Sequence, residues 1–373
     1  MIYFITYSEK YNGIYSSQVI DVCKKLENIS NQKVILLSLV SLRDFRSERK
    51  KIKTHYKNSL VFPMFPKIQF WKLNIFTLIP IFIFKKNNIL ISRNAIATNL
   101  GFSLRKLGLV KRVVFDARAA EFEQFKEYKI IDNKSFVENF FNIEKKAVIS
   151  SDLRIVVSDK LIKFWNNKFN YNDKNHLIIP STLNTIHLYK SKIFARKKIG
   201  FSDTDIIFVY SGSSSKWQSF SKMFLFVEKF LLKNTKYKLL ILSKETTKIK
   251  EMIKKFPNQI SVKWLNTKDV IPFLKICDYG LIIREESITN QVSSPVKFAE
   301  YLYAGLKIII SSNIGDYSKF VLDNDCGFLD NQCKMNLKKV TNKQKKFNSE
   351  LALNYFSKNS PNIENKYKKL LKI

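Results

Sequence analysis

The chain has 373 residues, with 65 Lys and Arg against 31 Asp and Glu and a formal net charge of +34. Hydrophobic residues make up 45% of it while Gly (9) and Pro (8) are scarce, so a disordered, collagen-like or linker-like chain is excluded and a turn-rich all-β fold is disfavoured. The length predicts two domains or one large α/β unit. The charge surplus favours an anionic partner, and a coding bias towards lysine in an AT-rich genome is the alternative.

Strand and helix signals alternate along the first half. Short apolar runs suited to buried parallel strands stand at residues 2–6, 34–40, 89–91, 113–115, 154–157 and 177–179. A loop with Gly13 follows the first run, and helices are predicted from about Ser16 and over residues 135–150. The half ends at Pro180.

The second half repeats this order, with strands predicted at residues 206–210, 239–242, 261–264, 279–283 and 307–310 and helices between them. Such alternation predicts parallel sheets covered on both faces, and hence two doubly wound, Rossmann-like α/β domains facing a cleft. We predict domains at 1–185 and 186–345. A helical tail, 346–373, packs back toward the first domain. Ligands of such sheets bind at the carboxyl ends of the strands.

The cysteines and the apolar runs of the chain indicate where in the cell the protein is located. None of the four cysteines stands in a Cys-x-x-Cys pair, which indicates reduced thiols in a cytosolic protein. With three histidines we expect no metal site. We recognise no signal peptide, and the longest apolar stretch, residues 75–84, is shorter than the roughly 20 residues that span a bilayer. The expected location is cytoplasmic, peripheral on the inner face of the membrane.

Two segments suggest contact with an anionic inner-membrane surface. From Lys334 onward eleven lysines stand against only two glutamates, and the tail is predicted to be helical and docked. The aromatic cluster at residues 70–84, with Lys72, Lys85 and Lys86 around it, is either a core helix or a surface that dips into lipid. We favour core for most of it, with Trp71 and Lys72 facing the lipid.

The segment 278–310 carries the clearest chemistry. It is predicted as strand, loop, helix, a stop at Gly305, and strand. Ser294 and Pro295 supply an N-cap and a proline in the first turn, where free N–H groups and the helix dipole form an anion site. Lys297 lies in that turn. Glu300 lies about one turn further along, within reach of a sugar hydroxyl beside a bound phosphate.

This segment resembles the donor-site signature of family 4-like glycosyltransferases with the GT-B fold. The resemblance rests on Pro295-Val296-Lys297-Phe298, Glu300-Tyr301-Leu302 and Gly305, preceded by Ile282-Ile283-Arg284-Glu285. Weaker likenesses follow in the family's order along most of the chain, at residues 12–14, 157–158, 178–180, 210–218, 315–316, 326–328, 356–357 and 367–371, the last being their closing crossover helix.

The resemblance implies roles. Glu300 holds the ribose hydroxyls of a nucleotide-diphosphate sugar, while Gly212 and the helix start at Ser294, Pro295 and Val296 hold the diphosphate and sugar. It implies a retaining transfer without a tightly bound metal or other cofactor, with domain closure excluding water. The predicted acceptor is a glycan, in particular a lipid-linked one. Gly13 is assigned to the donor site through the family's N-terminal glycine loop.

The chain departs from the family's pattern at three places. Val292 stands where many members have a second Glu, and Glu285 or Glu286 is the candidate substitute. Ser213 and Gln218 stand where Arg and Lys are usual. A diphosphate needs compensating charge, and the candidate cations are Lys216, Arg284 and Lys297.

In the first half, Arg93 and the pair Asp116 and Arg118 follow predicted strands. They resemble Arg and Asp-x-Arg-Gly positions in a branch that acts on bacterial surface polysaccharides, although Ala119 replaces the glycine. We predict these three residues as the catalytic set, in contact with acceptor or donor phosphate. A structural salt bridge between Asp116 and Arg118 is the alternative.

The sequence leaves two other functions as alternatives. A sugar-nucleotide epimerase of the same fold needs acidic groups and histidines in its cleft, and this chain has few histidines. A nucleic-acid-binding protein would explain the charge, but no zinc finger, basic helix pair or RNP-type aromatic motif is present. We therefore expect a nucleotide-sugar, and not nucleic acid, as the ligand.

Overall fold

The computed structural model describes residues 1–83, 88–184, 194–213 and 215–372. The chain forms two compact units. Unit 1 comprises Met1–Pro180 together with Pro361–Ile373, and unit 2 comprises Ser181–Ser360. The chain thus leaves unit 1 once and returns to it at its end. We predicted that the two domains end at residues 185 and 345, whereas the boundaries between the units in the structure lie after residues 180 and 360.

Unit 1 contains seven parallel strands, of which the five central ones are almost completely buried. They are β1 (Ile2–Tyr7), β2 (Val34–Val40), β3 (Ser59–Pro63), β4 (Ile89–Arg93), β5 (Arg112–Ala117), β6 (Leu153–Val156) and β7 (His176–Ile178). Their order in the sheet is β3-β2-β1-β4-β5-β6-β7. Apolar runs with no polar alternation form these strands because helices cover both faces.

The helices of unit 1 begin at side-chain caps where the sequence offers them. They are α1 (Gly13–Tyr15), α2 (Asp21–Ser30), α3 (Phe45–His55), α4 (Ile75–Phe82), α5 (Ala95–Lys106), α6 (Glu121–Tyr128), α7 (Lys134–Ser150) and α8 (Asp159–Phe169). Asn94, Asn133 and Ser158 each accept a hydrogen bond from a first-turn N–H group, which satisfies a donor that has no partner inside the helix.

Unit 2 contains six parallel strands in the order β10-β9-β8-β11-β12-β13. They are β8 (Ile206–Ser211), β9 (Tyr237–Leu242), β10 (Ile260–Lys263), β11 (Tyr279–Ile282), β12 (Lys307–Ile310) and β13 (Gly327–Leu329). The helices are α9 (Phe220–Lys233), α10 (Thr247–Lys255), α11 (Thr267–Lys275), α12 (Ile288–Gln291), α13 (Val296–Tyr303), α14 (Tyr317–Asp323) and α15 (Asn342–Phe356). The predicted alternation of strands and helices is confirmed in both units.

Two strands escaped prediction. β3 and β13 both lie at the edge of their sheets, and both are short. No strand was predicted after residues 307–310, yet Phe328 of β13 pairs with Ile309 of β12. Short edge strands lack the long apolar run that marks a central strand.

The predicted tail, 346–373, divides between the units. Its first part belongs to α15 and packs in the core of unit 2 through Leu351, Ala352 and Phe356. Only α16 (Pro361–Leu371) packs on unit 1, where Ile363, Tyr367 and Leu370 are buried in the core. Glu364 of this helix forms an ion pair of 2.6 Å with Lys25.

Successive residues of β1 face different helical layers. Phe4 belongs to the core cluster that also contains Cys23 of α2 and Tyr367 of α16. Tyr3 points the other way, and its ring centroid lies 4.6 Å from that of Phe82 in α4. Because side chains alternate along a strand, α4 and α16 lie on opposite faces of the sheet.

The aromatic cluster is only partly as predicted. Trp71 was assigned to a lipid-facing position, which is wrong, because it lies in the middle of a 3-10 helix, Ile68–Asn74, and is only 6% exposed. Lys72 is exposed, and Phe70 and Phe76 take the outer positions. Lys85 and Lys86 lie outside the described residues. Among the helices that are described, none combines the length and the apolar composition that crossing a membrane requires.

Candidate functional site

The motif segment folds as predicted, with one addition and one correction. β11, α13 and β12 follow one another with Gly305 as the stop, but a short helix, α12, interrupts the loop. Pro295 is not in the first turn. It is the N-cap residue of α13 and makes no side-chain cap hydrogen bond, so Val296 is the first helical residue. The first N–H groups of α13 have no hydrogen-bond acceptor within the helix, because no helical turn precedes them.

Ser294 is held by its neighbours instead of capping the helix. Its Oγ accepts a hydrogen bond of 2.8 Å from the Ser181 N–H and shares one of 2.6 Å with the Tyr317 hydroxyl. The loop before α13 is therefore fixed by contacts within unit 2. A fixed loop presents the start of the helix in one position.

The turn after β8 lies against α13. Gly212 follows this strand with φ of +155°, a conformation that side chains rarely adopt, and a Cβ there would lie 2.9 Å from Nζ of Lys297. The Lys297 ammonium nitrogen also lies 4.4 Å from the ring centroid of Tyr210. Glycine thus lets the backbone of the turn approach this lysine closely.

Two buried cations converge on one neutral oxygen. Gln218 Oε1 accepts hydrogen bonds from Nζ of Lys297 at 2.8 Å and from the Arg284 guanidinium at 3.1 Å. Arg284 also donates to Asn290 Oδ1 at 3.2 Å and to Ser293 Oγ at 3.4 Å. Lys297 is 9% exposed and Arg284 is 4% exposed. A shared amide oxygen thus holds the two positively charged side chains close together.

The electrostatics of Lys297 follow from this geometry. Burial holds the pKa of Lys297 well below its ordinary value, and the neighbouring Arg284 lowers it further, while Glu300 acts in the opposite direction. Within the described part of the chain no carboxylate oxygen forms an ion pair with Lys297. A bound anion would favour the charged form of this lysine.

The other residues of unit 2 that were predicted to bind the nucleotide-sugar are more exposed than Lys297 and Arg284. Glu300 lies three residues after Lys297 on α13, which places both on one side of the helix, and it is half-buried. Lys216 is exposed on the same 3-10 turn as Gln218. Glu285 and Glu286 are exposed, whereas Val292 is buried at the end of α12.

Sequence reasoning missed the contact that fixes α13 on the sheet. The Tyr301 hydroxyl accepts a hydrogen bond of 2.8 Å from the Ser211 N–H at the end of β8. The ring of Tyr301 covers Gly280 so closely that a Cβ at this position would lie 2.3 Å from Tyr301 Cδ2. A glycine inside an apolar strand was the available signal, because it marks close approach of another group.

We expect Gly280→Ala to displace Tyr301 and so to disturb the start of α13 and the turn at Gly212. The free energy of unfolding should fall by about 1–3 kcal/mol, as overpacking of a core does. Urea titration followed by fluorescence measures it. Tyr301→Phe is the matched variant, since it removes only the hydroxyl, and about 1 kcal/mol is expected for it. An alanine variant as stable as the wild type would contradict this account.

In unit 1, the predicted catalytic residues form a buried charge network. Asp116 is fully buried. Its Oδ2 lies 3.3 Å from Nη1 of Arg93, and its Oδ1 lies 2.8 Å from Nε of Arg118. Arg93 Nε donates at 2.9 Å to Glu9, which sequence reasoning did not single out. The ion pair weighed as the structural alternative is therefore present. The catalytic role of these residues stays a prediction.

Two carboxylates that the sequence did not mark lie nearby in unit 1. Glu144 accepts hydrogen bonds of 2.9 Å from the N–H groups of Glu121 and Phe122 at the start of α6, and Glu121 Oε1 accepts one of 2.9 Å from the Ala95 N–H. Burial raises the pKa of Glu144 to about 7. Both carboxylates cap helices, which accounts for their burial. Gly13, the remaining predicted donor residue, begins α1, where Asn12 Oδ1 accepts a hydrogen bond from the Tyr15 N–H.

Among the described residues, no group of three or more His, Cys, Asp or Glu side chains is arranged to hold a metal ion. The four cysteines are free thiols.

Comparison with known proteins identifies the architecture. No family model and no curated protein sequence matches the chain. Among solved structures, a sucrose-phosphate synthase from Thermosynechococcus elongatus matches with a TM-score of 0.68 and 10% identity over 100% of this chain and 98% of the other. An S. aureus TarM mutant in complex with Fondaparinux, alpha-GlcNAc-glycerol and UDP matches with a TM-score of 0.63 and 10% identity over 100% and 95%.

A putative UDP-N-acetylglucosamine 2-epimerase from Listeria monocytogenes is also similar, with a TM-score of 0.53 and 10% identity over 98% of this chain and 90% of the other. At this level of identity the likenesses concern the fold. Together with the two doubly wound sheets and the last helix they show that the chain has the GT-B fold, as predicted.

Proposed function

We propose that this protein is a glycosyltransferase that moves a sugar, a hexose or a related one, from a nucleotide-sugar donor to a glycan acceptor. The observation that carries the proposal is the convergence of Lys297 and Arg284 on Gln218 Oε1 beside Gly212. Burial disfavours the charged form of Lys297, and a bound anion that contacts both side chains offsets that cost. A diphosphate supplies several oxygens for both.

The donor then binds unit 2 at the carboxyl ends of β8 and β11. The diphosphate contacts Lys297, Arg284 and the N–H groups of Val296 and Lys297, and Lys216 approaches from the exposed turn. Glu300 holds the ribose hydroxyls. In this arrangement the usual lysine, replaced here by Gln218, is supplied from α13 by Lys297.

The proposed reaction breaks the bond between the anomeric carbon of the sugar and the diphosphate oxygen. A hydroxyl of the acceptor forms the new bond and loses its proton. Negative charge develops on the leaving diphosphate, where fixed cations stabilise it without reorganisation. We propose retention of configuration and no metal requirement.

The acceptor is assigned to unit 1, with Arg93, Asp116 and Arg118 at the carboxyl ends of β4 and β5 as the residues that hold it. A lipid-linked glycan of bacterial surface polysaccharide synthesis is the proposed class, used at the cytoplasmic face of the membrane. The family pattern at Arg93 and at Asp116 and Arg118 supports this class.

The epimerase alternative has one supporting observation, the similar fold of the putative 2-epimerase. Both functions use a nucleotide-sugar, so binding alone does not separate them. The products do, because an epimerase changes the sugar without an acceptor and a transferase releases nucleoside diphosphate.

The test is a panel of nucleotide-sugars screened by thermal shift, followed by product analysis with and without a lipid-linked glycan extract. Nucleoside diphosphate released only with the acceptor supports the proposal. An epimerised nucleotide-sugar, or no stabilisation by any nucleotide-sugar or nucleoside diphosphate, would overturn it.

A further inference from the structure

One helix of unit 1 is apolar on the side that faces solvent. Leu78 and Phe82 of α4 are buried, but its opposite stripe consists of Phe76, Pro80 and Ile83, all exposed. Phe76 is 66% exposed. Spacings of four and three residues place the three on one line along the helix. Leu73 and Phe70, just before the helix, extend this exposed apolar surface.

The surrounding sequence has an unusual charge pattern. No Asp or Glu stands between Glu48 and Asp116, while fourteen Lys or Arg do. A general lysine bias raises the number of lysines but does not remove acidic residues over such a stretch. The exposed lysines that flank the stripe are Lys67 and Lys72.

We propose that the α4 stripe, defined as Phe70, Leu73, Phe76, Pro80 and Ile83, docks unit 1 on an anionic lipid bilayer, with Lys67 and Lys72 at the lipid headgroups. A bilayer surface provides a hydrocarbon layer for the aromatic and aliphatic side chains, and its anionic headgroups attract the lysines. The proposal stands independently of the donor site.

Other occupants fit less well. A symmetric dimer would place the same patch against itself, and a patch with basic and no acidic residues would meet like charge. A nucleic acid would match the lysines but not the exposed Pro80 and Ile83, which offer it no hydrogen bonds.

The structure also separates this surface from the last helix, α16. α4 covers the face of the sheet to which Tyr3 points, and α16 covers the face to which Phe4 points. A flat bilayer that lies against α4 is therefore on the far side of the sheet from the lysines of α16. Lipid binding is assigned to α4 and not to α16.

The experiment is co-sedimentation of the full-length protein with vesicles of phosphatidylcholine alone or mixed equally with phosphatidylglycerol. We expect binding to the anionic vesicles that weakens strongly at about 1 M salt, where the screening length is about 3 Å. Lys67→Gln with Lys72→Gln should lower partition about twenty-fivefold, since each basic residue near an anionic surface contributes about fivefold. Phe76→Gln with Leu73→Gln should lower it at least about tenfold.

Two matched controls use the same substitutions elsewhere. Leu225→Gln with Leu232→Gln changes exposed leucines of α9 (61% and 68% exposed), and Lys369→Gln with Lys372→Gln changes exposed lysines at the end of α16. Both should bind as the wild type does. Equal thermal melts of all variants establish that they are folded.

Several outcomes would overturn the proposal. These are no binding to anionic vesicles at low salt, equal binding to neutral ones, loss of binding in the tail control with retention in the α4 variants, or salt-sensitive binding to duplex DNA without vesicle binding. A dimer in sedimentation velocity that Phe76→Gln dissociates would assign the stripe to a second copy.

Discussion

Lys297→Met is expected to lower the affinity for a nucleoside diphosphate by about thirtyfold to a thousandfold, because loss of one partner from a buried charged contact costs about 2–5 kcal/mol. Methionine keeps most of the unbranched side chain and removes the charge that faces Gly212 and Gln218. Isothermal titration calorimetry with the nucleotide selected from the panel measures the effect.

The same variant should be more stable than the wild type without ligand. The pKa of Lys297 is lowered in the folded protein, so the unfolded chain binds more protons at pH values between the folded pKa and the ordinary value. Over that range the free energy of unfolding rises with pH, which means that near neutral pH the lysine destabilises the fold. Methionine removes this penalty. A purely structural lysine would give the opposite sign.

The affinity for nucleotide should also depend on pH, and Lys297→Met should lose the part of this dependence that comes from the lysine. A bound diphosphate favours the charged form of Lys297, so binding takes up a proton and affinity rises as the pH falls from the pKa of the complex toward that of the empty protein. In Lys297→Met this part of the pH dependence disappears, which calorimetry in buffers of different ionisation enthalpy detects.

Lys345→Met is the matched control. Lys345 is a partly buried lysine of unit 2 whose pKa burial also lowers, but it donates to the carbonyls of Lys275 and Cys277, away from Gln218. We expect unchanged nucleotide affinity from this control. If Lys297→Met bound nucleotide like the wild type, or the two variants behaved alike, the assigned diphosphate site would be wrong.

Glu300→Ala should lower nucleoside-diphosphate affinity about tenfold to a hundredfold while leaving the fold intact, since hydrogen bonds to a charged group contribute about 1.5–3 kcal/mol. The specific readout is the ribose. Wild-type protein should prefer the nucleotide over its 2′-deoxy analogue, and Glu300→Ala should lose this preference because the carboxylate that discriminates between them is gone.

Glu251→Ala, which changes an exposed glutamate on α10 of the same unit, is the control and should bind as the wild type does. A Glu300→Ala protein that binds weakly but still distinguishes the two sugars would show that Glu300 acts elsewhere than at the ribose. Unchanged affinity would remove it from the site.

The central strands were predictable because they are buried on both faces. A continuous apolar run such as Ile2–Tyr7 or Lys307–Ile310 reports that burial directly, and the alternation with helices then predicts a parallel sheet. The edge strands Ser59–Pro63 and Gly327–Leu329 were missed, since a short strand at the edge of a sheet has a less distinctive pattern.

The candidate site was predictable as a set of residue types and not as a set of contacts. The motif around Lys297 and the departure at Gln218 indicated that other cations were needed. That Lys297 and Arg284 meet at Gln218, 79 and 66 residues away, depends on β8 lying beside β11. The same holds in unit 1, where the register that pairs Arg93 with Asp116 brings the charge network together.

The sequence shows that residues 75–82 are apolar at nearly every position, which left a core helix and a lipid-dipping surface as alternatives. Periodicity cannot choose the buried side of such a segment, so most of the cluster was assigned to the core and Trp71 to the lipid. Only packing against the sheet decided the rotation, since Phe82 meets Tyr3 and leaves Phe76 in solvent. Local composition specifies the element, and contacts distant in sequence decide which of its faces is available for binding.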